Sequence, residues 1–310
     1  MTDLAFRCTA EDAALGRLDR AVLARAPGST RALVSACFAR GGVTLAGRPA
    51  AKADRPAPGA EVRVSGLAEA ADRAVAPEPG PLAVVWEDAA LAAVDKPAGQ
   101  PCHPLAPGER GTLAGALLAR WPEMAGVGLD PLQPGILHRI DAGTSGLVLA
   151  ARTADAFARL RAQLSAHEVR KVYLARVAGA VEREGGVSGH LAHSPSFRGR
   201  MRCVSGSALP RGERPMFAET FYRPLARDGS STLLEVTILT GVTHQIRCQL
   251  ASTGHPILGD ETYGGPPLPG AAPGAAPRHL LHALSATFVH PLTGRGTTVR
   301  TPPPDWATGL

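Results

Sequence analysis

From Leu82 onward the chain consists of short apolar runs separated by turn residues, and no other feature constrains its fold as strongly. LAVVWED, LAAVDKP, GILHRI, GLVLAA, KVYLARVAG and TLLEVTIL are each of strand length, and several alternate apolar with polar positions. Two helical segments interrupt them, over 112–120 and 153–167, each opening on a threonine suited to capping, Thr112 and Thr153. Asp155 sits in the first turn of the second, whose apolar stripe is Phe157, Leu160 and Leu164. Strands joined by short turns with few helices predict an α+β domain over 82–310, its mixed, mainly antiparallel sheet flanked by helices. Residues 265–277, GPPLPGAAPGAAP, read as an exposed low-complexity loop.

Upstream, AEAADRAVAPEPGP has little apolar period and three prolines within five residues, which predicts a linker over 67–81. Residues 1–66 then form a small α/β module. Its first helix is expected over 9–25, with Thr9 and Asp12 as a capping box and Leu15, Leu18 and Val22 on one face. A second opens at Ser29, with Leu33, Ala36 and Cys37 inward, Arg31 and Arg40 outward, and Gly41-Gly42 as its stop. VTLAGRPA and EVRV (61–64) supply short strands. Such a plan fits a compact RNA-binding module and a small structural cap equally well.

Composition narrows the function. At 310 residues and 45% apolar, the chain is long enough to bury a real core, and no apolar run approaches the length of a bilayer span. The opening MTDLAFRCTAEDAA carries acids where an export signal needs a basic and then an apolar stretch, so the expectation is a cytoplasmic protein with no membrane contact. Five scattered cysteines, none in a C-x-x-C pair, argue against a disulfide framework and against a metal site; Cys102-His103 lacks further ligands. A net charge of +6 points to an anionic partner. Residues 1–66 hold ten Lys+Arg against six Asp+Glu, and residues 67–310 hold 23 against 21, so most of the excess lies in the first fifth.

Three constellations stand apart. In GILHRIDAGTSGLVLA, residues 135–150, Asp141 is a turn residue on ordinary turn statistics, yet Arg139 alternates with it on one face of a strand end. That pairing leaves either a structural ion pair or a site. In LTGVTHQIRCQL, 239–250, Thr243, Gln245 and Arg247 alternate with Val242, His244 and Ile246, giving one polar face that is solvated or functional. In RKVYLAR, 170–176, Lys171, Tyr173 and Ala175 share a face, where Tyr173 fits a core tyrosine by default.

Taken together, HRIDAGTSGLVLAAR, RKVYLA and LTGVTHQIR resemble the signature segments of RluA-type pseudouridine synthases, in order and rough spacing. DKPAG (95–99), GHPILGDETYG (254–264) and LLHALSATFVHPLTG (280–294) extend the resemblance over nearly all of 82–300. GRLDRAV, STRALV and GGVTLAGRPAAK are similar to a small RNA-binding module shared by a small-subunit ribosomal protein and tyrosyl-tRNA synthetases.

The resemblance implies that Asp141 is the catalytic carboxylate, Arg247 its paired arginine, and Tyr173 the aromatic side chain against the uracil. Arg139 would fill the gap left by the extruded base. His138, Thr144, His244 and Gln245 would line the substrate site. Arg17, Arg31, Arg40 and Lys52 in the module, with Arg198, Arg200, Arg202, Arg211 and Arg214 in a loop, would meet phosphates. Isomerising uridine adds and removes nothing, so the resemblance implies no cofactor and no metal. The carboxylate could serve as nucleophile or as base along a glycal path. Val242 departs from the family pattern, which has arginine there; Gln249 departs from its usual histidine.

The expectation is thus a monomeric enzyme that makes pseudouridine in structured RNA, first of all large-subunit ribosomal RNA, with tRNA as the second candidate. The rivals are a non-catalytic RNA-binding or ribosome-assembly factor and a carboxylate hydrolase acting on nucleosides. The hydrolase would want a second acid near Asp141, for which Asp130 and Asp155 are the local candidates.

Overall fold

The computed structural model describes residues 2–26, 29–67, 74–106, 108–197, 199–204, 214–268 and 278–308. The chain divides into two compact units, Met1–Ala76 with Leu105–Glu109, and Pro77–Pro104 with Arg110–Leu310.

In the first unit, strands β1 (Thr2–Arg7), β2 (Val43–Leu45), β3 (Arg48–Pro49) and β4 (Glu61–Leu67) form an antiparallel sheet in the order β1-β4-β2-β3. The helix expected over 9–25 is two helices, α1 (Ala10–Ala14) and α2 (Leu18–Arg25). Gly16 breaks it by entering the left-handed region (φ 71°), open to glycine at little cost. Thr9 and Asp12 do form the reciprocal capping box. The break swings Leu15 out to solvent, while Leu18 and Val22 are buried. Helix α3 (Arg31–Ala39) is capped by Thr30, one residue later than expected. It buries Leu33, Val34, Cys37 and Phe38, and leaves Ala36 exposed rather than inward.

The second unit is α+β, as the strand runs predict. Among the described residues its strands are β5 (Ala83–Glu87), β6 (Leu91–Lys96), β7 (Ser145–Ala151), β8 (Arg170–Ala178), β9 (Gly185–His193), β10 (Met201–Val204), β11 (Met216–Asp228), β12 (Ser231–Ile238), β13 (Leu281–Val289) and β14 (Gly296–Arg300). They lie in the order β10-β9-β11-β12-β8-β13-β7-β6-β5, with β14 beside β13. Each pairing among these strands is antiparallel except β13 with β7, so the sheet is mixed and mainly antiparallel. Helices α4 (Leu113–Arg120) and α5 (Ala154–Ser165) start on the expected caps, Thr112 and Thr153. Phe157 and Leu160 of α5 are buried.

Two expectations fail here. GILHRI is no strand: Ile136 makes one bridge to Ala150, and His138–Asp141 run without regular structure. LTGVTHQIRCQL is not alternating strand but a turn leading into a third flanking helix, α6 (Gln245–Ser252). Of the low-complexity stretch, 265–268 have no regular structure and 269–277 lie outside the described residues. Among the described residues no helix is long and apolar enough to cross a membrane.

Candidate active site

The site is built where the parallel pairing of β13 with β7 crosses the sheet. Tyr173 of β8 faces Ala283 of β13, and Ala283 faces Gly146 of β7, so the three share one row. Gly146 has φ 109°, and a Cβ there would lie 2.2 Å from the Ala283 carbonyl oxygen. Only glycine lets β7 close on β13 at that row, which explains the last glycine of GTSG. Five residues upstream, Asp141 sits on the turn that feeds β7.

That turn is braced on every side. The Thr144 N–H donates to the Asp141 carbonyl (3.0 Å), and the Ala142 carbonyl accepts from the Gly99 N–H (2.7 Å) and from Lys96 Nζ (3.2 Å). Lys96 is fully buried and also donates to the carbonyls of Pro97 and Gln100. Burial lowers its pKa to about 8, partly offset by nearby Cys102 and Asp141. Thr144 Oγ shares a hydrogen bond with His279 Nε2 (2.7 Å), and Ser145 Oγ with His282 Nδ1 (2.9 Å). Burial holds both imidazoles down to about 4, so they are neutral braces. His138 Nε2 accepts from the Leu149 N–H (3.1 Å), which ties the approach to the turn onto β7.

Helix α6 supplies the arginine. It starts from His244, whose φ of 54° makes it a left-handed N-cap without a side-chain cap bond. Of the residues read as one polar face, Gln245 and Arg247 are instead buried by tertiary partners, whereas Thr243 is exposed. Gln245 accepts from Thr240 Oγ (2.9 Å) and the Val242 N–H (3.2 Å), and donates to the Glu219 carbonyl (2.9 Å) and Thr220 Oγ (3.1 Å). Gln249 donates to the Ala218 carbonyl and accepts from Thr220 Oγ. Both glutamines therefore dock α6 against β11.

Arg247 projects from that docked helix to Asp141, with Nη1 donating to Oδ2 at 2.7 Å. Its other side is held by buried Asp260, Nε to Oδ2 at 2.6 Å and Nη2 to Oδ1 at 2.8 Å. Burial opposes the Arg247 charge, but the Asp260 hydrogen bonds and the charges of both carboxylates more than offset it, and its pKa is raised. The guanidinium carbon stands 5.3 Å from the Tyr263 ring centroid. Tyr263 Oη accepts from the Met201 N–H (2.9 Å) and bonds His244 Nδ1 (3.0 Å). With Nδ1 receiving the tyrosine proton, the imidazole proton belongs on Nε2, 3.8 Å from Asp141 Oδ2. Tyr173 is buried, and burial first, then the Asp141 charge, raises its pKa, so it stands as a neutral phenol beside the carboxylate.

The structure therefore brings together Asp141, Tyr173, Arg247 and His244. Thr144, His138 and Gln245, expected to touch substrate, are engaged in holding the turn and α6. Arg139 does not pair with Asp141, because the chain there is not a strand end; its Nη1 bonds His103 Nε2 at 2.6 Å from an exposed position. The second acid is Asp260. Asp130 caps a turn and Asp155 pairs with Arg159 on α5. The sequence assigns no role to Asp260, Tyr263, His279 or Lys96, since nothing in local spacing links them to Asp141. Val242 is half-buried against Leu191, Met201, Ala218, Cys248 and Tyr263.

Of the basic residues, Arg200 lies over Tyr263 (5.3 Å) and Phe197 (5.6 Å). In the first unit Arg31 is exposed, Arg17 pairs with Asp19, Arg40 bonds the Gly66 carbonyl and Lys52 bonds Ser35. Arg198 and Arg211 lie outside the described residues. Among the described residues no group of three or more His, Cys, Asp or Glu is arranged to hold a metal.

Known proteins share this arrangement of sequence. A family model described as RNA pseudouridylate synthase matches residues 90–252, a span that includes Asp141, Tyr173 and Arg247. A ribosomal large subunit pseudouridine synthase D of Xanthomonas campestris is 37% identical over 303 residues, covering 95% of this chain and 88% of that protein. The protein of the same name in Neisseria meningitidis is 32% identical over 296 residues, covering 94% of this chain and 76% of that protein. Among solved structures, human RNA Pseudouridylate Synthase Domain Containing 1 aligns with a TM-score of 0.55 at 26% identity, over 73% of this chain and 86% of that one.

Proposed function

The chain belongs to the RNA pseudouridylate synthase family, and on that premise we propose that it converts uridine to pseudouridine in large-subunit ribosomal RNA, with Asp141 at the centre of the reaction. The observation that carries this reading is the chain of contacts Asp141–Arg247–Asp260 beside the Tyr173 ring. The ribosomal target is supported by the relatives named for that substrate, which match nearly the whole chain.

The isomerisation breaks the bond between ribose C1′ and uracil N1, turns the ring and forms a bond from C1′ to C5. The C5 proton leaves and N1 gains one, so the balance is zero. Asp141 is partly open to solvent, at 27% side-chain exposure, and can meet the ribose or the ring as nucleophile or as base. Arg247, immobilised by Asp260, keeps a fixed positive charge on Oδ2 without having to reorganise during the reaction. The Tyr173 phenol offers a flat wall for the uracil, and exposed Arg139 can enter the space left by a flipped base. The basic residues Arg17, Arg31, Arg40 and Lys52 of the first unit, together with Arg200, would add phosphate contacts.

The substrate claim is tested by incubating the purified chain with unmodified large-subunit ribosomal RNA and with total tRNA transcripts, then mapping pseudouridine by carbodiimide labelling. Stops in the ribosomal RNA alone are expected. Stops confined to tRNA would overturn the ribosomal assignment.

A further inference from the structure

Five cysteines stand free in the structure, and two of them meet. Cys203 on β10 and Cys248 on α6 have their sulfurs 3.7 Å apart. Cys203 is exposed; Cys8, Cys37, Cys102 and Cys248 are buried. Among the described strands β10 is outermost in the sheet and pairs with β9 alone, and its Met201 packs with Cys248 and Tyr263, so the two cysteines sit on elements already in contact. Joining the sulfurs at the usual bond length requires them to approach by roughly 1.6 Å.

We propose that Cys203 and Cys248 form a peroxide-oxidisable dithiol, a modification site in which the exposed Cys203 reacts first and the buried Cys248 closes a disulfide onto it. The electrostatics agree with that order. Hydrogen bonding with the Cys248 thiol, aided by Ser252 against the cost of burial, lowers the Cys203 thiol from its ordinary value. The same contact, with burial, pushes the Cys248 thiol up. Burial raises Cys8, Cys37 and Cys102, which leaves Cys203 as the one thiol of the five that is both exposed and lowered.

The Cys203 thiolate attacks one oxygen of hydrogen peroxide. The O–O bond breaks, the departing hydroxide takes a proton from solvent, and Cys203 becomes a sulfenic acid. Cys248 sulfur, surrendering its proton, attacks the sulfenyl sulfur; the S–S bond forms and hydroxide leaves as water. In total the two thiols lose two electrons and two protons, and the peroxide is reduced to two waters. The bond would tie β10 to the helix that carries Arg247, one residue before Cys248.

The test uses the full reduced chain, treated with one equivalent of hydrogen peroxide, quenched with N-ethylmaleimide and digested without reductant for mass spectrometry. A Cys203–Cys248 linked peptide is expected, two hydrogens lighter than its parts and lost on adding dithiothreitol. Cys203→Ser, at an exposed position, should abolish the product. Cys248→Ser should leave a sulfenic acid on Cys203 that dimedone traps. Complete alkylation of both cysteines after peroxide, or earlier oxidation of Cys8, Cys37 or Cys102, would overturn the proposal.

Discussion

Asp260 grips Arg247 through both carboxylate oxygens, at 2.6 and 2.8 Å, in a pair closed off from solvent. That grip consumes Nε and Nη2 and leaves Nη1 aimed at Asp141. Asp260→Ala should therefore cost stability and rate together. Removing one partner of a buried pair costs about 3 kcal/mol or more, readable in urea unfolding. Turnover should fall at least tenfold while RNA affinity stays near wild type, because the loss is in positioning the guanidinium. Wild-type stability in the variant would contradict the anchoring role.

Lys171 gives a pH signature. Its Nζ donates to the Thr240 carbonyl (2.9 Å) inside the sheet, and burial lowers its pKa from 10.5 to about 8. Below pH 8 the lysine is charged in both folded and unfolded chains. Between pH 8 and 10.5 the unfolded chain holds a proton the folded one has released, so stability rises with pH in that window. The stability of wild type minus that of Lys171→Met should climb with a slope approaching about 1.4 kcal/mol per pH unit. Chemical unfolding of both proteins from pH 7 to 10.5 measures it; a flat difference would mean that Lys171 titrates normally.

How far the sequence foretold the molecule depends on whether the relevant physics was local. Thr112 and Thr153 cap helices because a side-chain oxygen meets an N–H three residues on, and that is written in the chain. The apolar runs of β6, β7, β8 and β12 are legible for the same reason. Helix α6 was hidden because its polar residues, Gln245, Arg247 and Gln249, are buried by partners on β11 and by Asp260, so no apolar stripe marks it. Strand β9, GGVSGHLAH, carries three glycines and little alternation, and it is held by pairing on both sides. Asp141 could be singled out by family resemblance, whereas the acid on the far side of its arginine depended on a hydrogen bond spanning 13 residues.

The first unit's role is open to a salt titration. Arg31 on α3, Arg40 just past its end and Lys52 in the loop after β3 are exposed. If they meet phosphates, replacing all three with Gln should flatten log Kd against log salt by about 0.7 for each phosphate no longer neutralised, with catalysis at saturating RNA unchanged. An unchanged slope in filter binding from low to moderate salt would remove these residues from the RNA interface.

The most direct test of the account is tritium release from large-subunit ribosomal RNA carrying 5-tritiated uridine, compared between wild type and Asp141→Asn. Asparagine keeps the shape of the side chain but cannot act as nucleophile or base. Wild type should release tritium with multiple turnovers, and the variant should release none above background while binding the RNA with near wild-type affinity. Tritium release by Asp141→Asn at a comparable rate would contradict the assignment of Asp141 as the catalytic carboxylate.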